Sequence, residues 1–148
     1  MADNHEKFRE AVRTLLEKDP RIEVVGEAGD GIEALELACS VKPDVVVMDM
    51  RMPKFNGVAA LRQITAFNPR IKVIIFSANA VQVYAETMLA AGARGYVVKS
   101  DAKELPRAIH AVMLDLVYLS SELRQPDADK VGWAAAINDL AMAAGNNL

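Results

Sequence analysis

The sequence has little cysteine and no long apolar run. Its single cysteine, Cys39, excludes a disulfide framework and a cysteine-based metal site. No apolar run approaches the length of a membrane span, and the first ten residues are too polar for a secretion signal. The formal net charge of −3 gives no electrostatic footprint for nucleic acid or a membrane surface. These absences favour a cytoplasmic protein with no membrane partner.

What the sequence does contain is an alternation of strand and helix patterns. Short apolar runs predict strands over 22–28, 44–50, 70–78 and 93–99. Apolar residues at helical spacing predict helices before, between and after these strands, the last of them over 102–116. Strands and helices that alternate in this way predict right-handed crossovers and a parallel sheet covered on both faces. The predicted fold is a doubly wound α/β domain.

Three polar side chains stand where predicted strands end. They are the carboxylate of Asp49, the hydroxyl of Ser77 and the ammonium of Lys99. Each one alone is more often a surface charge, a turn residue or a helix cap. Because the carboxyl ends of parallel strands meet at one edge of a sheet, the three together predict a functional site there.

Four motifs give the chain a resemblance to a known family. They are "ADNH" (2–5), "VVVMDMRMP" (45–53) followed by Gly57, "FSA" (76–78) and "GYVVKSDA" (95–102). In this order and spacing they resemble the receiver domains of two-component response regulators, in the branch that usually carries a C-terminal helix-turn-helix. The resemblance implies a flavodoxin-like receiver domain over residues 1–123.

The resemblance also implies a role for each strand-end residue. The family aspartate that matches Asp49 accepts a phosphoryl group from a histidine kinase. The residue matching Ser77 hydrogen-bonds the phosphoryl oxygens, and the lysine matching Lys99 pairs with them. Ser77 and Tyr96 match the switch residues, and the aromatic at the Tyr96 position reports the change on an outer face.

A Mg²⁺ ion is implied as well, with one departure in its ligands. The family holds it with an early acidic pair, here Asp3 and Asn4, with the acceptor Asp49, and with the backbone carbonyl at Arg51. Asn4 offers a neutral oxygen where the family has a carboxylate, so we expect weaker Mg²⁺ binding and slower or lost phosphotransfer. The alternative is a frayed terminus that never reaches the site.

The N-terminal end departs from the family too. There the "ADNH" motif follows a full apolar strand in the middle of the sheet, whereas here only Met1 and Ala2 precede it. We therefore expect the first central strand to be lacking. Three explanations stay open: a clipped or mis-started chain, a sheet that closes directly across the gap, or a strand supplied by a partner chain or a second copy.

The C-terminal end replaces the expected helix-turn-helix with a shorter segment. Residues 124–131 resemble a linker, and 132–148 predict an extra C-terminal helix with Asp129 as a candidate cap and Gly145 as a stop. The apolar face of that helix packs either on its own domain or on a dimer or partner helix. With Lys130 as the one basic residue after Arg124, the tail predicts no direct DNA binding.

Two functions follow as hypotheses. The first is a phosphoacceptor switch that changes partner or dimer interactions. The second is a pseudo-receiver, an interaction module that acts by association without phosphorylation. An enzyme is not expected, because a phosphohydrolase on a similar fold would need a carboxylate two residues after Asp49, where Arg51 stands. His5 is interpreted as structural or solvated.

Overall fold

The computed structural model describes residues 1–54 and 56–124. The predicted helix over 132–148 and all but the first residue of the predicted linker lie outside this part of the chain. Four parallel strands, hydrogen-bonded in chain order, form one sheet. They are β1 (Val45–Met48), β2 (Lys72–Ser77), β3 (Gly95–Val98) and β4 (Tyr118–Leu119).

Five α-helices connect and cover these strands in the described ranges. They are α1 (Glu6–Glu17), α2 (Gly31–Val41), α3 (Gly57–Phe67), α4 (Gln82–Ala90) and α5 (Leu105–Met113). Short polar residues set two of the helix starts. The Asp30 carboxylate accepts the Glu33 amide before α2, and the Asn56 side chain accepts the Ala59 amide before α3.

The helices lie on both faces of the sheet. Residues of α1 and α5 pack with one set of strand side chains: Val12, Leu16, Val47, Ile74, Phe76, Val97, Leu105, Ile109 and Val112. Residues of α2, α3 and α4 pack with the alternate set: Ala34, Val46, Met48, Leu61, Ile64, Val73, Ile75, Met88 and Val98. Because successive strand residues point to opposite faces, both sides of the sheet are buried. The predicted doubly wound fold is confirmed.

The predicted strand over 22–28 is wrong. Only Ala28 makes a β-bridge there, and its partner is Ala2, which also bridges Met48. A strand forms only where a neighbouring main chain pairs with it, and Met1–Asp3 offers pairing at the level of Ala28 alone. Since Ala2 lies between the two segments, direct closure of the sheet across the gap is also wrong. No full first strand is present among the described residues, as expected.

The N-terminal residues are nevertheless built into the sheet. The Ala2 amide donates to the Val47 carbonyl at 2.8 Å, and the Met1 amine donates to the Gly26 carbonyl at 3.0 Å. Upstream of this ladder, a cavity of about 430 Å³ separates residues 22–26 from β1. The first three residues thus have the register of a central strand.

Two further elements differ from the predictions. The single helix predicted over 102–116 is a 3₁₀ turn over Lys99–Glu104 followed by α5. The two-residue strand β4 was not predicted, because so short a strand has no readable alternation. None of the described helices has both the length and the apolar character needed to cross a bilayer.

Candidate functional site

Asp49 lies directly after β1, a strand whose last three residues are buried, and it begins the loop that follows. Its side chain is 10% exposed, and its Oδ1 atom accepts the Arg51 amide at 3.1 Å. Gly57 allows α3 to begin close to this loop. A Cβ atom at Gly57 would lie only 2.8–2.9 Å from main-chain atoms of Met50 and Asp49. The residues around Asp49 therefore hold its carboxylate at the C-terminal edge of the sheet, where the Arg51 amide donates a hydrogen bond to it.

Lys99 reaches this carboxylate from the end of β3. Its Nζ atom lies 2.9 Å from Oδ2 of Asp49 and 2.6 Å from Oδ2 of Asp3. The ammonium also lies 4.6 Å from the ring centroid of Phe8, a cation–π arrangement. Burial pushes the pKa of Lys99 down, but hydrogen bonds and charge attraction from Asp3 and Asp49 outweigh it and raise the pKa above 10.5. Lys99 is therefore charged at neutral pH.

Asp3 is inside the site and not at a frayed terminus, so that alternative is wrong. Its side chain is 5% exposed, and its main chain pairs with Ala28 through a hydrogen bond of 2.9 Å. The Arg9 guanidinium also donates to the Asp3 carbonyl. Burial raises the pKa of Asp3, but hydrogen bonds from Lys99 and the His5 amide outweigh it and hold the pKa below 3.8. Asp3 is ionised at neutral pH.

His5 is the site residue that sequence reasoning missed. Its Nδ1 atom lies 3.1 Å from Oδ1 of Asp3, although 68% of its side chain is exposed. Asn4 is exposed, and its side chain makes no hydrogen bond within residues 1–54 and 56–124. The signal that could have found His5 is its position two residues after a buried aspartate, next to the start of α1.

The donor set at this edge suits a divalent cation. One ligand atom each from Asp3, His5 and Asp49 lie within 4.8 Å of one another. Mg²⁺ is usually bound by one or two carboxylates with several waters, and two carboxylates are present here. At Arg51 the observed contact to Asp49 is through the amide N–H. The ligand role of the Arg51 carbonyl stays a prediction, as does that of Asn4.

Ser77 and Tyr96 lie on the two neighbouring strands. Ser77 is buried at the end of β2, in register with Val98, and its hydroxyl accepts the Asn79 amide at 3.1 Å. Tyr96 was expected on an outer face, but its side chain is fully buried, and its hydroxyl donates to the Asn79 carbonyl at 2.8 Å. Burial raises the pKa of Tyr96 above 10.0. Both side chains thus contact the loop that follows β2.

Comparisons with known proteins give a family match over most of the chain. A family model described as response regulator receiver domain matches residues 1–110. The transcriptional regulatory protein DegU of Brevibacillus brevis is 39% identical over 118 residues, which cover 79% of this chain and 50% of DegU. A protein-glutamate methylesterase/protein-glutamine glutaminase of Geobacter sulfurreducens is 37% identical over 118 residues, covering 77% of this chain and 32% of that protein.

A solved structure gives the same result for the fold. The crystal structure of a LuxR-family two-component response regulator from Aurantimonas sp. SI85-9A1 superposes with a TM-score of 0.82 at 36% identity. The match covers 87% of this chain and 93% of that one. The chain spans 50–59% of the length of DegU and of the Pseudomonas aeruginosa response regulator GacA.

Proposed function

We propose that this chain, which belongs to the response regulator receiver domain family, accepts a phosphoryl group on Asp49 and uses it to switch its interactions. The observation that carries the proposal is the contact of Lys99 with both Asp3 and Asp49 at 2.6 and 2.9 Å. The donor is a histidine kinase, or a small acyl phosphate in its place.

The reaction is the transfer of a phosphoryl group from the donor to the Asp49 carboxylate. A carboxylate oxygen of Asp49 forms the new bond to phosphorus. The bond that breaks joins phosphorus to the imidazole nitrogen of a kinase histidine or, with a small acyl phosphate, to the acyl oxygen, which leaves as the carboxylate. The approach of a dianion to a carboxylate is opposed by their charges. The Lys99 ammonium relieves that repulsion, since it already lies 2.9 Å from Asp49. Its raised pKa keeps it protonated during the transfer.

Asp3 and Asp49 would hold a Mg²⁺ ion, which supplies further positive charge to the phosphoryl oxygens when bound. Lys99 bridges the two carboxylates. The ammonium would contact the phosphoryl oxygens once they reach Asp49, because it already lies 2.9 Å from Oδ2 of that residue. The Arg51 amide stays in place as a donor at Asp49.

Ser77 and Tyr96 would convert the added charge into a change of surface. The Ser77 hydroxyl and the Tyr96 hydroxyl hold opposite groups of Asn79, its amide and its carbonyl. A phosphoryl oxygen that attracts the Ser77 hydroxyl would release the Asn79 amide. The loop after β2 and the start of α4 would then move, and dimer or partner interactions would change with them.

The test is the intact mass of the protein after incubation with acetyl phosphate and Mg²⁺. We expect one phosphoryl adduct on the wild-type protein and on Asp44→Asn, an exposed aspartate at the opposite end of β1. Asp49→Ala and an EDTA-treated sample are expected to show none. Circular dichroism on the same samples establishes that each is folded.

The opposite result is equally informative. A folded wild-type protein without an adduct contradicts phosphorylation of this chain and leaves the interaction module that acts by association. An adduct that persists in Asp49→Ala would place the acceptor elsewhere. A purified histidine kinase with labelled ATP then tests the same variants with the physiological class of donor.

A further inference from the structure

We propose that His5 is a ligand of the cation site and that the site therefore prefers a borderline first-row cation such as Co²⁺ to Mg²⁺. The inference deepens the proposed function and rests on it in one respect, that Asp3 and Asp49 take a cation. The new element is a nitrogen ligand from the exposed side of the site.

The separation of the ligand atoms supports this role. Nδ1 of His5 lies 3.1 Å from Oδ1 of Asp3. Two ligands at right angles, each about 2.1 Å from an octahedral cation, are about 3.0 Å apart. The His5 and Asp3 atoms already have this spacing, and a ligand atom of Asp49 lies within 4.8 Å of both.

The main chain of His5 keeps its imidazole near Asp3. The His5 amide donates to the same Oδ1 atom of Asp3 at 2.9 Å, and the residue has an extended conformation just before α1. The imidazole therefore lies at the mouth of the site, with 68% of its side chain exposed. A cation can reach the three residues from solvent and keep water or phosphodonor oxygens in its other positions.

The types of ligand atom at the site determine which cation it prefers. Asn4 is exposed and is not part of the cluster, so the site has two carboxylates and one imidazole. Mg²⁺ prefers oxygen ligands and gains little from a neutral nitrogen. Imidazole suits the later first-row cations, whose affinity for such sites rises from Mn²⁺ towards Co²⁺ and Ni²⁺. A nitrogen ligand thus raises the affinity for Co²⁺ more than the affinity for Mg²⁺.

The experiment is a calorimetric titration of tag-free protein with Co²⁺ and with Mg²⁺, without a phosphodonor. The variants are His5→Ala and His110→Ala, the latter a matched control because His110 pairs with Asp19 on another part of the molecule at 2.6 Å. We expect His5→Ala to lose about tenfold or more of the Co²⁺ affinity. Its Mg²⁺ affinity is expected to stay within about twofold of wild type, and His110→Ala is expected to change neither.

A second measurement does not depend on any variant. On addition of Co²⁺ to the wild-type protein, we expect large contact shifts of the His5 ring protons, beyond the shifts of the side-chain protons of its chain neighbours Asn4 and Glu6, because contact shifts require a bond to the metal. Unshifted His5 ring protons, or equal Co²⁺ affinity in wild type and His5→Ala, would overturn the inference. Because the phosphoryl adduct is measured separately with Mg²⁺, either result leaves the test of the proposed function intact.

Discussion

The ammonium of Lys99 lies 2.6 Å from a carboxylate oxygen of Asp3, although 96 positions separate the two residues in the chain. The contact joins the N-terminal residues to the far end of β3. Without the first three residues in the register of the sheet, Lys99 would have Asp49 as its only carboxylate partner in the described structure.

The first prediction concerns the charge of Lys99. Lys99→Met keeps most of the unbranched side chain but leaves Asp3 and Asp49 without their ammonium. We expect a loss of about 1–3 kcal/mol in the free energy of unfolding, less than for a fully buried pair because the Lys99 side chain is 17% exposed. Urea denaturation at neutral pH in the presence of EDTA measures it. Lys103→Met, at an exposed position, is the control, and equal losses in the two variants would contradict the prediction.

The second prediction is the acid dependence of stability. The pKa of Asp3 is lower in the folded protein than its ordinary value of 3.8. Its contribution to the free energy of unfolding is therefore complete above pH 3.8 and is lost as the pH falls through the lower, folded value. Asp3→Asn should differ most from wild type at neutral pH and converge with it in acid. Urea midpoints between about pH 2 and pH 7 test this. A difference that stays constant with pH would contradict it.

The same linkage has the opposite sign at Lys99. Its pKa is raised in the folded protein above 10.5, so its contribution is complete below that pH and is lost as the pH rises through the higher, folded value. The wild-type protein should therefore lose more stability in alkali than Lys99→Met does. Urea midpoints at rising pH measure the difference. If the midpoints of the two proteins fall in parallel as the pH rises, the prediction is wrong.

The third prediction concerns the close approach at Gly57. In Gly57→Ala the new Cβ atom would meet main-chain atoms of Met50 and Asp49 at 2.8–2.9 Å, so the loop has to shift. We expect a cost of about 1–3 kcal/mol in the free energy of unfolding, together with slower formation of the phosphoryl adduct. Gly29→Ala is the control, because the nearest heavy atoms there are side-chain atoms at 3.7 Å and beyond. A wild-type adduct rate in Gly57→Ala would show that the loop tolerates the shift.

The fourth prediction concerns the hydroxyl of Tyr96. Tyr96→Phe leaves the Asn79 carbonyl without its donor and is expected to cost about 1–2 kcal/mol in the free energy of unfolding. Tyr84→Phe, at a residue that is 38% exposed, is expected to change it by less than about 0.5 kcal/mol. Chemical denaturation measures both. If Tyr96→Phe is as stable as Tyr84→Phe, the hydrogen bond from Tyr96 to the Asn79 carbonyl contributes nothing to the free energy of unfolding, which would contradict the prediction.

Part of the site could be predicted because it follows from the topology of the sheet. Asp49 and Lys99 end parallel strands, and such ends meet at one edge whatever the loops do. Their convergence at one edge was therefore predictable from the alternation of strands and helices, whereas the direct contact of 2.9 Å is a finding of the structure. Ser77 was predicted at the same edge for the same reason, and it lies in register with Val98, next to Lys99.

The remaining features of the site depend on main-chain pairing between distant segments, which no local sequence pattern predicts. Three residues before α1 have no hydrophobic period, so their place between Ala28 and Met48 could not be read from the sequence. The strand predicted over 22–28 failed for the same reason, because its apolar pattern is genuine but its pairing partner is only three residues long. His5 was interpreted as structural or solvated because no cysteine or histidine stands near it in the sequence at metal-ligand spacing. Its contact with Asp3 depends on the main chain of Met1–Asp3.

The hydrogen bond from the Met1 amine to the Gly26 carbonyl has a practical consequence. Anything fused ahead of Met1 begins at a partly buried position, beside the cavity between residues 22–26 and β1. An N-terminal affinity tag would thus be a structural change close to Asp3, and a polyhistidine tag would also compete for the metal.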